Sequence, residues 1–126
     1  MSLHVLAIDD SRTMRNLLKA TLGAAGFEVE LAEDGEDGLQ RLDRSDPDVV
    51  ITDINMPRLD GFGFIEAARA RQRDRPLPIL VLTTESAGEL RSRARSAGAS
   101  GWIVKPFDED KLLWAIERVT GREGTR

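Results

Sequence analysis

The 126-residue chain has no cysteine and a single histidine, His4. The first absence excludes a disulfide framework, thiol chemistry and a cysteine-based zinc site, and the second excludes a histidine cluster. No apolar run exceeds a few residues, so nothing is expected to span a membrane, and the N-terminus has no signal-peptide pattern. An excess of basic residues is also missing: the net charge of −4 argues against a general nucleic-acid binder. With 40% hydrophobic and 32% charged residues, the remainder is an ordinary globular composition, long enough for one domain with its own core. A cytoplasmic location is the default expectation.

What is present is organised around Val49-Val50-Ile51-Thr52-Asp53-Ile54-Asn55-Met56-Pro57. A run of β-branched residues bounded by turn signals reads as a buried strand. Asp53 stands where that strand emerges from the sheet, the position a reacting group takes in an open α/β fold.

Taken in order, Leu3 to Ile8 reads as a strand ending in Asp9 and Asp10. Ser11 caps a helix whose buried stripe is expected to be Met14, Leu17, Leu18, Thr21 and Leu22. Phe27 to Ala32 alternates and reads as a half-exposed strand. A second helix follows the turn Glu33-Asp34-Gly35, with Leu39 and Leu42 facing inward. Gly61 to Ala70 forms the next helix, with Phe64, Ile65 and Ala68 inside. The strand Ile79 to Leu82 leads to Thr83 and Thr84. A helix from about Ala87 to Ala97 has a thin apolar face (Leu90, Ala94, Ala97) and, at Gly88, an internal glycine that weakens it by about 1 kcal/mol relative to alanine. Trp102 to Val104 is the last strand, ending at Lys105-Pro106. Asp108 caps a final helix with Leu112, Ala115, Ile116 and Val119 inside and Leu113 and Trp114 off the stripe. Gly121 to Arg126 reads as a frayed tail. Strands alternating with helices imply a parallel sheet covered on both faces.

In such a sheet ligands bind beyond the carboxyl ends of the strands. Those ends deliver Asp9 and Asp10, Asp53, Thr83 and Lys105, and the remaining strand delivers Glu33-Asp34. Alone, a strand-terminal aspartate is most often a helix cap; the joint pattern says more. Close carboxylates repel by roughly 4 kcal/mol per pair near a protein surface. A hard divalent cation such as Mg²⁺ relieves that repulsion and neutralises an incoming phosphoryl group. Lys105 supplies a point charge for a phosphate oxygen, and Thr83 a hydroxyl donor.

Asp9-Asp10, Asp53, Thr83 and Lys105-Pro106 together resemble the receiver domain of two-component response regulators, over about residues 4 to 120. The stretches Asp10-Ser11-Arg12-Thr13-Met14-Arg15 and Asp53-Ile54-Asn55-Met56-Pro57 resemble single-domain chemotaxis regulators of the CheY type. The resemblance implies a flavodoxin-like α/β fold, a five-stranded parallel sheet in the order 2-1-3-4-5 with five helices. It further implies one receiver domain over residues 1–126, a monomer without an output domain. Asp53 would be the phospho-acceptor, and Asp10, Asp53 and the Asn55 carbonyl would hold Mg²⁺, with Asp9 acting through a water. Lys105 would pair with the phosphoryl group and Thr83 would be the switch hydroxyl. In the family the Lys105-Pro106 bond is cis. Asn55 and Glu85, two residues past Asp53 and Thr83, stand at positions that in the family tune phosphoryl hydrolysis. Trp102 stands where the family has a rotating tyrosine or phenylalanine.

The implied partners are a histidine kinase, of the chemotaxis kind, and a phospho-dependent target such as a flagellar motor switch protein. Arg91, Arg95, Trp102 and Trp114 are the expected partner face, the two arginines sharing a helix face at i, i+4 spacing. Such a protein is no enzyme beyond its own phosphotransfer and dephosphorylation. Two other readings share the residues: a phosphate sink or relay intermediate without an output target, and a Mg²⁺-dependent aspartyl phosphohydrolase. The latter fits less well, because the residue two beyond the nucleophile is Asn55 and the chain has no residues to spare for a cap.

Overall fold

The computed structural model describes residues 3–71 and 73–121. Five strands, β1 (His4–Ile8), β2 (Glu28–Ala32), β3 (Val49–Thr52), β4 (Ile79–Thr83) and β5 (Gly101–Val104), alternate with five helices. These are α1 (Arg12–Ala24), α2 (Gly35–Arg44), α3 (Gly61–Ala70), α4 (Gly88–Ala97) and α5 (Glu109–Thr120). All strand pairings are parallel and the order is β2-β1-β3-β4-β5, as the resemblance implied. Every residue of β3 and β4 is buried, which explains their unbroken apolar sequences, whereas the edge strands β2 and β5 are partly exposed.

Alternating strand residues feed two apolar layers. On one face Val5, Ala7, Val49, Ile51, Leu80 and Leu82 pack with Leu18 and Leu22 of α1 and Leu112, Leu113 and Ile116 of α5. On the other, Leu6, Ile8, Val50, Ile79 and Val81 pack with Leu42 of α2, Phe62, Phe64 and Ile65 of α3, and Ala94 of α4. Two expectations about these faces need correction. Leu17 is 47% exposed, whereas Leu113 is buried at 5%. Helices α1 and α5 cover the same sheet face, so α5 buries neighbouring positions 112 and 113, while α1 buries only Leu18 and Leu22.

Four helices are capped by side chains whose oxygens accept backbone N–H groups: Ser11 from Met14, Asp34 from Asp37, Asp60 from Gly63, and Asp108 from Asp110 and Lys111. Each such cap stabilises a helix by about 1 kcal/mol. Helix α4 has none: Ala87 is at its N-cap, and Ala94 is its one buried residue. Gly88 is the first residue of α4, not an interior one, so the expected cost of an internal glycine does not apply. The expected tail falls outside the described residues beyond Gly121, whose left-handed backbone ends α5. No helix among the described residues is long and apolar enough to cross a membrane.

Candidate functional site

The strand order reverses between β1 and its neighbours β2 and β3, opening a crevice at their carboxyl ends. Sheet hydrogen bonds continue one residue past each strand there. Asp9 N–H donates to the Ala32 carbonyl (3.0 Å), Asp53 N–H to Ile8 (3.0 Å) and Lys105 N–H to Thr83 (2.7 Å). The ladder thus sets Asp9, Asp53 and Lys105 level with one another before any side-chain contact is counted.

Their side chains then converge. The Lys105 ammonium donates to Asp9 Oδ2 at 2.7 Å and to Asp53 Oδ2 at 2.8 Å. Asp53 Oδ1 accepts the Ile54 N–H at 2.6 Å, and Asp9 Oδ1 accepts the Ser11 N–H at 2.9 Å. Asp9 is further fixed by Arg15, whose guanidinium donates to its backbone carbonyl at 2.8 Å. Asp9 and Asp53 are buried, at 1% and 8% exposure. Asp10 is exposed and has no hydrogen bond or ion pair among the described residues. One carboxylate oxygen from each of the three aspartates lies within 4.8 Å of the others.

Two acids share one ammonium in this cluster. Burial pushes the Asp9 carboxyl above its ordinary range, and the contacts with Lys105 and Ser11 only partly offset that. Burial pushes Lys105 down, but the hydrogen bonds and charges of Asp53 and Asp9 outweigh it and leave its pKa raised. Lys105 therefore keeps its proton between the two carboxylates, and the cluster of three acids with one ammonium carries surplus negative charge. An oxygen-only donor set with surplus negative charge suits a hard divalent cation. An Mg²⁺ octahedron spans about 4.2 Å between opposite oxygens, so three oxygens within 4.8 Å fit when one of them acts through a water.

Around the crevice, Glu85 connects three groups. Its carboxylate accepts from the Asn55 amide at 3.1 Å, its N–H donates to Thr83 Oγ1 at 3.4 Å, and its carbonyl accepts the Trp102 indole N–H at 3.1 Å. Thr83 is fully buried, and its hydroxyl hydrogen has no acceptor among the described residues. Trp102 packs partly buried against the α2–α3–α4 layer. The Lys105-Pro106 peptide is cis. Of the expected partner residues, Arg91 and Arg95 are exposed on α4, and Trp114 is 61% exposed with the Arg118 guanidinium 5.3 Å from its ring centre. A groove of about 720 Å³ lined by Trp102, Pro106, Lys111, Trp114 and Arg118 runs between β5 and α5.

Asp34, the remaining strand-end acid, does not join the site. It is buried at 1%, caps α2 and pairs with Arg58, which reaches Glu33 as well. Sequence reasoning missed Arg58 and Arg15; neither follows a local periodicity that would single it out. A larger cleft lies on the far side of the domain, lined by Arg69, Arg71, Arg73 and Arg75. There Arg71 is paired with Asp43 at 2.7 Å and Arg73 with Asp46 at 2.6 Å, which ties the segment before β4 to the one before β3. That cleft is a structural seam, whereas the titrating groups converge at the strand ends.

Residues 5–117 match the response regulator receiver domain family. A chemotaxis protein, CheY1, from Helicobacter pylori is 39% identical over 121 residues, covering 94% of this chain and 98% of its own length. The structure of chemotaxis protein CheY4 from Vibrio cholerae superposes with a TM-score of 0.90 at 42% identity, covering 94% of this chain and 99% of that one. The receiver domain of a Pseudomonas aeruginosa sensor histidine kinase, whose structure holds a magnesium ion in its active-site cleft, superposes with a TM-score of 0.88 at 26% identity over 96% of this chain and 99% of that one. With its fold, its strand-end acids and these relatives in agreement over nearly its whole length, the chain belongs to the response regulator receiver domain family.

Proposed function

We propose that the chain is a phospho-acceptor switch of a two-component system, a single receiver domain phosphorylated on Asp53 by a histidine kinase and acting in chemotaxis. The observation that carries this reading is the convergence of Asp53 with Asp9, Asp10 and Lys105 at the strand ends. An oxygen of Asp53 attacks the phosphorus of a phosphohistidine. The P–N bond breaks, its electron pair leaves on the imidazole, and an acyl phosphate forms on the carboxylate. Water later attacks the same phosphorus, returning the Asp53 carboxylate and releasing phosphate.

Asp10, Asp53 and the Asn55 carbonyl, with Asp9 through a water, would hold Mg²⁺, which neutralises the incoming phosphoryl charge. Lys105 already touches Asp53 Oδ2, and a phosphoryl oxygen bonded there takes over one of its N–H donors. The Thr83 hydroxyl hydrogen donates to another phosphoryl oxygen. Its movement reaches Trp102 through Glu85, which touches both. Asn55 and Glu85, in contact at 3.1 Å, would screen the phosphoryl group from attacking water and so tune how long it survives.

Charge-assisted hydrogen bonds contribute roughly 1.5–3 kcal/mol each. Moving an equilibrium from 1:99 to 99:1 takes about 5.5 kcal/mol, so Lys105 and Thr83 shift the population part of the way and a bound partner completes it. The output face is formed by Arg91 and Arg95 of α4 with Trp102 and Trp114. Its basic and aromatic character, and the groove between β5 and α5, suit an acidic, partly apolar segment such as one from a flagellar motor switch protein.

Phosphorylated and unphosphorylated protein, each with and without Arg95→Glu and Trp114→Ala, are compared for binding to the motor switch protein. Phospho-dependent binding that both substitutions abolish supports the reading. Binding indifferent to phosphorylation would place the protein with phosphate sinks, and binding indifferent to the substitutions would remove the proposed face.

A further inference from the structure

Arg58 is the one non-glycine residue among the described ones with positive φ, at 65°. It lies in the loop between β3 and α3, three residues past Asn55. Left-handed backbone is costly for a residue with a β-carbon and persists where surrounding contacts enforce it. The contacts here are identifiable. Arg58 Nε donates to Asp34 Oδ2 at 2.7 Å, a second guanidinium nitrogen also contacts that oxygen, and Glu33 Oε1 accepts at 3.1 Å. Asp34 is itself immobile: it is buried at 1%, and its other oxygen caps α2 by accepting the Asp37 N–H at 2.8 Å.

The loop is tied at further points. Its two ends are closed by the Gly61 N–H donating to the Ile54 carbonyl at 2.9 Å, and the Leu59 carbonyl accepts the Gly35 N–H at 3.0 Å. On the opposite flank the Asn55 amide is held by Glu85. Pro57 has its φ fixed by its ring. Between Pro57 and Leu59, Arg58 is the residue whose backbone runs against its own preference; the Leu59 N–H donates to the Pro57 carbonyl across it at 2.8 Å, and the guanidinium clamp anchors that turn to Asp34 and Glu33.

We infer that Arg58 is a positioning residue for the metal site: its clamp on Asp34 and Glu33 holds the loop so that the Asn55 carbonyl faces the Asp10 and Asp53 carboxylates. This rests on the reading of the strand-end acids as an Mg²⁺ site. Arg58 touches neither metal nor phosphoryl group. Without the clamp, residue 58 relaxes toward negative φ and carries the neutral oxygen ligand out of line, leaving the two carboxylates to bind alone.

The test is calorimetric titration of the whole protein with Mg²⁺, alongside thermal melts in chelator. Arg58→Ala, which keeps the β-carbon and loses the clamp, should bind Mg²⁺ roughly 10-fold more weakly, the scale seen when a group supporting a metal ligand is removed. Arg58→Gly, which accepts left-handed backbone freely, should recover part of that loss. Asp34→Asn keeps the helix-capping oxygen but not the charge pair; it should weaken binding in the same way, with no added loss when combined with Arg58→Ala. A residue that only stabilises the fold would lower the melting temperature and leave the affinity of the folded protein unchanged. Arg58→Ala binding Mg²⁺ within about twofold of the parent overturns the inference, and Asp34→Asn decides the matter if Arg58→Ala does not fold. Failure of a different kind, in which the parent takes no Mg²⁺ or Asp10→Asn binds it equally well, would remove the metal reading itself and the inference with it.

Discussion

The ammonium of Lys105 sits 2.8 Å from Asp53 Oδ2 while also holding Asp9 at 2.7 Å, so one cation stands between two buried acids. Removing it leaves both carboxylates unpaired in a low-dielectric crevice. Lys105→Ala should therefore destabilise the metal-free protein at pH 7 by roughly 3 kcal/mol, measured by urea unfolding. The loss should shrink as pH falls and Asp9, whose pKa is already raised by burial, takes up a proton. An equal loss at pH 4.5 and pH 7, on the order of those values, would contradict the charge argument.

Asp10 contributes repulsion without a partner to offset it. Asp10→Asn should raise the stability of the protein in chelator by about 1 kcal/mol, the size of an exposed charge pair in water. It should also abolish the rise in melting temperature that Mg²⁺ gives the parent. A variant that is less stable in chelator, or that still responds to Mg²⁺, would count against a functional role for this acid.

Gly61 packs directly beneath the site. A β-carbon there would lie 2.3 Å from the Asp53 carbonyl oxygen and 2.8 Å from the Ile54 Cα, both backbone atoms that cannot swing away. Gly61→Ala should cost about 1–3 kcal/mol and displace Asp53 from Lys105, visible as weaker Mg²⁺ binding in a protein that still folds. By contrast, Gly23→Ala on α1 meets nothing within 4 Å and should stabilise slightly, which makes it the matched control.

Asp34 carries a pH signature. Burial raises its pKa, but the Asp37 N–H and Arg58 more than compensate, and it lies below the ordinary carboxylate range. A depressed pKa adds stability above the unfolded value, about 3.9, that is lost as pH falls through the folded value. Asp34→Asn should melt at a lower temperature than the parent at neutral pH, and the difference should shrink as pH falls below the unfolded value and through the folded one. Parallel curves over that range would show that the Arg58 pair adds nothing.

The features legible in the sequence were those with a local signature. Strand ends could be read because apolar runs stop abruptly at Asp9, Asp53, Thr83 and Lys105, and two of the four helix caps because Ser11 and Asp108 precede periodic segments. The caps at Asp34, read as part of a turn, and at Asp60 emerge only in the structure, although Asp before a helix start is such a signal. Misassigned residues were those whose burial depends on a neighbour rather than on period. Leu17 and Leu113 exchange their expected exposure because two helices share one sheet face. The Arg58–Asp34 clamp joins residues 24 apart, and Arg15 acts on a backbone carbonyl, so neither has a spacing to read.

The central claim is that Asp53 is the group that becomes phosphorylated. Intact-mass measurement after incubation with Mg²⁺ and a small phosphodonor tests it most directly, with Asp53→Asn treated in parallel. A gain of one phosphoryl group on the parent that disappears in Asp53→Asn and in chelator is the predicted result; the same gain persisting in Asp53→Asn would contradict it.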